Sequence, residues 1–463
     1  MIDVEKRVSR IMVAGTSSGC GKTTIACGLM RLFSRRGLCV QGCKSGPDYL
    51  DPTFHTRILG VASRSLDLFL EGKELVRETL ATGSEGKDLT IIEGAMGYYD
   101  GIALGSDASS WDLARTTRTP VLLVVDARGR ALSTAAEVKG FASFREPSLI
   151  SGVILNRVSD SYYPSLKCMV ERETGVPVVG YLPRIEKARL ESRHLGLVNA
   201  LEVEDLQKKM DLVADALERG LDVDAVLRLA DEAPVIAYEP RRLPEPCPSS
   251  PVIAVARDEA FSFYYQDSLE LLQRLGAHLE FFSPLRDGHL PDGACGLYLG
   301  GGYPELHARE LSANKPLLAE VAQAIAQGMP TIAECGGFLY LHESLEDEGG
   351  RAWPMVAALS GKAVKGERLG HFGYCTLTAT CDGLLADKGE SLRAHEYHYW
   401  RTERDDRGFC VRKPQSHVEW ACGAESETLY AGFPHIQLYG APRAARRFVG
   451  ACAAFAAGRG SAT

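Results

Sequence analysis

The chain has 463 residues, 45% hydrophobic and 24% charged, with a formal net charge of −8 from 52 Lys and Arg against 60 Asp and Glu. That length suits two or three domains with full cores, and an acidic chain whose charges are interspersed excludes a basic nucleic-acid stripe. Thirteen cysteines without a CxxC pair, no apolar leader at the N-terminus and no 18-residue uncharged apolar run point to a cytoplasmic protein with reduced thiols, no membrane span and no membrane partner.

Apolar runs at 10–14 (RIMVA), 38–42, 89–92 (LTII), 120–126 (PVLLVVD), 149–156 (LISGVILN) and 176–181 (VPVVGY) read as strands. Helical patterns separate them, the first at 23–35, and continuous β-branched runs of this kind predict a parallel sheet covered on both faces. Residues 201–231 read as helices that complete this unit. A segment rich in Pro, Ser and charge, 233–250, reads as a linker. A second α/β series then begins, with strands at 251–256, 278–282, 296–299 and 329–333 and a helix at 268–275. The expected organisation is a domain at 1–232, the linker, and a domain at 251–463.

Between the first strand and the first helix lies GTSSGCGKTT, Gly15 to Thr24. Glycines let backbone N–H groups turn inward around a phosphate, and a helix N-terminus adds its positive end. Lys22 is expected to reach the outer phosphates and the Thr23 hydroxyl to help hold Mg²⁺, with Thr16, Gly19, Gly21 and Thr24 completing the nucleotide grip. The first glycine stands one residue earlier than the strict G-x-x-x-x-G-K-[ST] spacing requires.

Mg²⁺ bound with a triphosphate takes one or two carboxylates plus phosphate oxygens and water. Two segments at strand ends offer them: KSGPDYLDP (44–52) and EGAMGYYDG (93–101). Asp48, Glu93 and Asp100 are the candidates for metal and catalysis, Lys44 for an anionic substrate or phosphate, and Asp51 lies in the same segment. Ligands gather at such carboxyl ends of parallel strands.

In the second series, AECGG (333–337) directly follows a strand. A sharp strand-to-helix turn exposes a nucleophile there, and the helix N-terminus is expected to lower the Cys335 pKa. A base is needed, and His435 in GFPH is the candidate. The GGGYPE loop (300–305) follows another strand; the N–H groups of Gly301 and Gly302, with that of Gly336, are the candidate oxyanion hole.

These motifs, with VARDEAFSFYYQDSLELL and HEYHYW, occur in the order found in the cobyrinic acid a,c-diamide synthase family, which the chain resembles over nearly its whole length. The resemblance implies a dethiobiotin synthetase-like P-loop ATPase domain joined to a class I, triad-type glutamine amidotransferase α/β domain. It implies ATP as substrate with Mg²⁺, L-glutamine as ammonia donor, and a tetrapyrrole polycarboxylate amidated at its a and c acetates through acyl phosphates. A sheltered path for ammonia between the two domains is expected with that chemistry, and a homodimer is admitted. The resemblance assigns Cys335 as nucleophile, His435 as its base, Asp48, Glu93 and Asp100 to ATP, Mg²⁺ and phosphorylation, Asn156 and Arg157 to the adenine, and Lys44, Tyr49 and Leu50 to the substrate. Three departures stand out: Gln437 replaces the acid usually found two residues after the histidine, which implies a Cys–His dyad; HEYHYW carries Tyr397 and Trp400; and the stretch 369–374 is unusual. The last two bear on the choice of macrocycle, for which nickel-sirohydrochlorin or sirohaem stay open beside cobyrinate or hydrogenobyrinate. A nucleotide switch without catalysis and a cobyric acid synthase-like enzyme that amidates other side chains are the readings from other classes.

Overall fold

The computed structural model describes residues 4–190, 192–193, 196–197, 203 and 205–460. The chain forms two compact units, Met1–Arg241 and Arg242–Thr463.

Seven parallel strands build the sheet of the first unit. Their spatial order is Arg64–Leu66, Val40–Ser45, Leu89–Glu93, Arg10–Gly15, Val121–Asp126, Ile150–Asn156 and Val178–Leu182. Successive side chains of a strand face opposite sides, and in Arg10–Gly15 both sides are covered. Ile11 and Val13 pack with the helices Lys22–Arg35, Leu206–Gly220 and Val223–Asp231. Met12 and Ala14 pack on the other face with Trp111, Val138 and Leu166. Hence the strand has no polar alternation to read: burial on both faces makes Ile11–Ala14 apolar, and the buried Arg10 before it is met by Val8 O, Thr117 O and Thr119 Oγ1.

The strand expected at 38–42 begins two residues later. Helix Lys22–Arg35 closes with Gly37 N–H on Ser34 O at 3.0 Å and Leu38 N–H on Phe33 O at 3.1 Å, so Leu38 is spent on capping the helix. The helices expected within 201–231 are Leu206–Gly220 and Val223–Asp231; positions 201, 202 and 204 lie outside the described residues. Within 233–250, Ile236–Tyr238 pairs antiparallel with Val4–Lys6 in the first unit, and Cys247 N–H donates to Leu275 O at 2.7 Å in the second. The Pro-rich segment is therefore anchored at each end.

The second unit has five parallel strands in the order His278–Phe282, Val252–Ala256, Ala294–Leu299, Thr331–Glu334 and Leu429–Gly432, with an antiparallel edge at Ala424–Glu425. Two further sheets that the apolar pattern does not announce, one mixed and one antiparallel, are built mainly from the chain between Thr331–Glu334 and Leu429–Gly432. One joins Ala352–Pro354, Ser344–Glu346, Lys362–Lys365 and Trp400–Thr402; the other joins Glu419–Cys422, Phe409–Arg412, Gly373–Ala379, Ser391–Glu396 and His435–Ile436. No helix among the described residues is long and apolar enough to cross a membrane. None of the thirteen cysteines is in a disulfide.

Glu425 gives the second unit a pH-dependent element. Its Oε1 accepts the Leu385 N–H at 3.1 Å, and Gly383 and Gly408 leave the space its side chain fills. Burial pushes its carboxyl up to about 8 from the usual 4.5. A carboxyl raised in the folded state contributes stability below its unfolded pKa and loses it as pH rises through the folded one. Glu425→Gln is therefore expected to melt higher than the parent at pH 8 and to flatten the fall in Tm from about pH 5 to about pH 8. An unchanged slope contradicts this.

Candidate active sites

In the first unit the phosphate loop runs from the central strand into helix Lys22–Arg35. Gly21 has φ 105°, and a Cβ there would sit 2.1 Å from Asn156 Nδ2. A Cβ on Gly15 would sit 2.2 Å from Cys20 Sγ. These two positions accept no side chain without displacing a neighbour. Lys22 is buried and its Nζ donates back across the loop to Ser17 O at 2.9 Å; burial lowers its pKa. Thr16 N–H donates to Val124 O at 3.3 Å, Gly19 takes φ 76°, and Thr24 stands half-buried in the first helical turn.

Asn156 and Arg157, expected at the adenine, secure the loop itself in this structure. Asn156 Nδ2 donates to Cys20 O at 2.7 Å. Arg157 donates to Gly19 O at 3.1 Å and pairs with Asp126.

Glu93 is the hub of this unit. It is 0% exposed. Its Oε1 accepts from the Thr23 hydroxyl at 2.5 Å and from Lys44 Nζ at 3.1 Å, and its Oε2 lies 2.8 Å from His55 Nε2. Lys44 Nζ also meets Asp51 Oδ2 at 2.5 Å. The Lys44 ammonium and the hydrogen bonds to His55 and Thr23 hold Glu93 ionised below the usual carboxylate range despite its burial. The carboxylates Asp51, Glu93 and Asp48 hold Lys44 cationic. Asp51, by contrast, is pushed up by burial and by Asp48 and Glu93. One ammonium thus pairs with two carboxylates, Asp51 and Glu93, and feels the charge of a third, Asp48.

Asp48 Oδ1 caps the helix Leu50–Leu59 through the Leu50 and Asp51 N–H groups, at 2.8 and 3.2 Å. Tyr49 is half-buried and Leu50 buries its side chain in the first turn. Asp100 is exposed, and its Oδ2 accepts the Gly97 N–H at 2.9 Å. That turn abuts the phosphate loop, since a Cβ on Gly97 would lie 3.1 Å from Thr16 O, and Tyr98 N–H donates to Gly15 O at 2.8 Å. Thus Thr23, Lys44, Asp48, Asp51 and Glu93 come together, while Asp100 stands at the rim. Among the described residues no three His, Cys, Asp or Glu side chains converge on one metal position. The excess of carboxylate over ammonium, with the Thr23 hydroxyl on Glu93, suits a cation that takes its remaining ligands from phosphate and water.

His55 is absent from the sequence-based set. Its Nδ1 lies 3.1 Å from Ser63 Oγ, which orients the ring on Glu93. The signal was the spacing: Asp51 and His55 stand four apart on one helix and so share a face.

In the second unit the strands Thr331–Glu334 and Leu429–Gly432 are parallel neighbours, Glu334 opposite Gly432. Cys335 leaves the first as His435 follows the second, which brings together residues a hundred apart in sequence. Cys335 has φ 47° and ψ −101°, the strained turn of a nucleophile elbow. Its N–H donates to Gly432 O at 2.8 Å, and its thiol approaches Tyr397 O at 3.8 Å. A Cβ on Gly301 would sit 2.3 Å from His435 Cε1, and one on Gly336 would sit 2.9 Å from Gly302 N. The glycines of the expected oxyanion hole therefore line this same place.

The expected depression of the Cys335 pKa is not found. Burial raises it well above the usual thiol value, the carboxylates of Glu305, Glu396 and Glu334 add to the rise, and a hydrogen bond from Gly336 N–H only partly opposes them. The helix after it, Gly336–Tyr340, is five residues long. The thiol is held neutral until a base removes its proton. Glu305 itself is raised to about 8 by burial.

The two unusual segments also lie in this unit. His371 stacks on Trp420 at 4.1 Å, and Phe372 meets Tyr397 and His395. Trp400 is a core residue whose indole N–H donates to Glu346 O at 2.8 Å.

Residues 11–198 match the model of the CobQ/CobB/MinD/ParA nucleotide binding domain, and residues 252–439 match that of the CobB/CobQ-like glutamine amidotransferase domain. The chain is 40% identical over 96% of its length to a cobyrinate a,c-diamide synthase of Caldanaerobacter subterraneus, covering 98% of that protein. It is 40% identical over 93% of its length to that of Listeria monocytogenes serotype 4b, covering 97%, and 40% identical over 95% to that of Salmonella typhimurium, covering 97%.

The crowding at Gly21 makes a direct test. Gly21→Ala forces Asn156 from the loop and places a side chain at positive φ, a strain of about 1–3 kcal/mol. Calorimetric titration with ATP is expected to show binding weakened about tenfold or more. Unaltered affinity contradicts the loop assignment.

Proposed function

This chain belongs to the cobyrinate a,c-diamide synthase family, and from that premise we propose that it amidates the a and c acetate carboxylates of cobyrinate or hydrogenobyrinate in cobalamin biosynthesis, with ATP and glutamine. It is a glutamine-hydrolysing ligase with an ATP-using domain. The observation that carries the reading is the presence in one chain of a phosphate loop wired to Glu93 and a strained Cys335 beside His435, within sequence similarity that spans both units.

A carboxylate is a poor acyl donor because oxide is a poor leaving group. In our reading the substrate carboxylate attacks the γ-phosphorus of ATP, ADP leaves, and an acyl phosphate forms. Lys22 and the loop N–H groups stabilise the charge of transfer. Thr23 with Glu93 and Asp48 would hold Mg²⁺, and Asp51 stands beside them; when bound, the ion neutralises phosphate charge. Lys44 and His55 fix the orientation and ionisation of Glu93. Asp100, at the rim beside Thr16, is assigned to the phosphorylation step, and Lys44, Tyr49 and Leu50 to the carboxylate-bearing substrate.

In the second unit His435 takes the Cys335 proton as sulfur attacks the glutamine amide. Gly301, Gly302 and Gly336 N–H groups receive the oxyanion. The proton returns to the leaving ammonia, a thioester forms, and water hydrolyses it to glutamate. Ammonia then displaces phosphate from the acyl phosphate and leaves the amide. We assign the protein to the cytoplasm, where its thiols stay reduced.

Cys335→Ser is expected to abolish glutamine-dependent synthesis and to retain synthesis with ammonium chloride. Mass spectrometry of products is expected to show two amides on cobyrinate or hydrogenobyrinate and none on nickel-sirohydrochlorin or sirohaem. Diamidation of only the latter pair would overturn the substrate assignment, and glutamine-dependent synthesis by Cys335→Ser would overturn the nucleophile.

A further inference from the structure

Position 437, two residues after the histidine, holds a neutral and buried Gln437, which leaves the glutaminase without an acid at that place. The structure holds one elsewhere. Glu334, immediately before the nucleophile, is 2% exposed. Its Oε1 accepts the Ile436 N–H at 2.8 Å, directly next to the histidine in sequence. Its Oε2 accepts the Tyr298 hydroxyl at 3.2 Å and lies 3.8 Å from His435 Nδ1. The opposite edge of the ring lies over Gly301, whose added Cβ would be 3.2 Å from Nε2.

We propose that Glu334 is the positioning carboxylate of the glutaminase site, supplied by the nucleophile's own strand rather than from the position after the histidine. Nδ1–H of His435 faces the carboxylate, and this tautomer leaves the Nε2 lone pair to take the Cys335 proton. As the thiolate attacks, the imidazolium that forms is stabilised by Glu334, and the 3.8 Å separation closes to a hydrogen bond, as catalytic contacts do on going from free enzyme to the reacting complex. Glu334 exchanges no proton with the substrate. It is fixed by two donors, one on the strand of Tyr298 and one on the backbone beside His435, so it sets the ring against the sheet. This extends the assignment of Cys335 and His435 made above and rests on it.

Isosteric replacement separates charge from shape. In Glu334→Gln the amide oxygen accepts the Ile436 N–H, while the amide NH₂ meets Tyr298 Oη and His435 Nδ1. An NH₂ there favours the tautomer with hydrogen on Nε2, which cannot act as the base. Glu334→Asp keeps the charge and shortens the reach. Glutamate release from glutamine is expected to fall about 100-fold or more in kcat for Glu334→Gln with KM for glutamine within about threefold, and to fall less for Glu334→Asp. A purely structural role predicts the reverse order, because Gln keeps the size and the bonds that Asp loses. Nitrogen-15 correlation spectra of the imidazole are expected to show Nδ1–H in the parent and Nε2–H in Glu334→Gln. Wild-type kcat or the wild-type tautomer in Glu334→Gln overturns the proposal, as does Asp falling below Gln. Cys335→Ser and His435→Ala run alongside: if they lose glutamine hydrolysis while Glu334→Gln keeps it, only the role of Glu334 fails; if they keep it, the nucleophile and base fail with it.

Discussion

A fully buried carboxylate must be paired, because an isolated charge at that depth costs far more than one side chain's packing returns. Glu93 meets this requirement through three partners on three elements: Thr23 on the phosphate-loop helix, Lys44 at the end of the neighbouring strand, and His55 on the helix that follows. None of these elements can shift without stranding the charge. The same side chain therefore orders the sheet's carboxyl edge and presents acidic oxygen where the loop delivers phosphate. The surplus of negative charge, with Asp51 on the same ammonium and Asp48 close by, is a poor choice for stability alone and a sound one for a site that takes a cation with its nucleotide.

The second unit obeys a topological constraint of similar force. Parallel pairing of Thr331–Glu334 with Leu429–Gly432 places two strand ends side by side, and all the chemistry lies where they stop. The long stretch between them folds into a mixed sheet and most of an antiparallel one before the chain returns to the second strand. One of these sheets ends on His435–Ile436 itself, with His435 opposite His395. Burial that serves the fold also keeps the Cys335 thiol protonated, so reactivity depends on the histidine partner and on how that histidine is held.

Much of this was legible in the sequence where burial is two-sided. The strands Leu89–Glu93, Val121–Asp126 and Ile150–Asn156 carry mostly apolar runs because both faces are covered, with the buried polar Glu93 and Asn156 at the carboxyl ends where partners meet them, and strands at the expected places end at the expected motifs. The two smaller sheets were not read from the sequence: Gly373–Ala379 carries the alternation of a one-sided strand over seven residues, but its neighbours are shorter and offer too few positions to show a period. The site residues split in the same way. Phosphate-loop glycines and Cys335 announce themselves through local backbone demands. His55 acts through contacts between elements, with only its four-residue spacing from Asp51 to signal it, and so does Glu334 in our proposal, while Asn156 and Arg157, expected at the adenine, hydrogen-bond the loop.

Oxygen tracing tests the amidation chemistry most directly. With ¹⁸O in the a and c carboxylates of cobyrinate, an acyl phosphate requires one ¹⁸O to leave in the inorganic phosphate formed with each amide. Phosphate carrying that label, one atom per amide, is the expected result; unlabelled phosphate from labelled substrate that has become the diamide contradicts it.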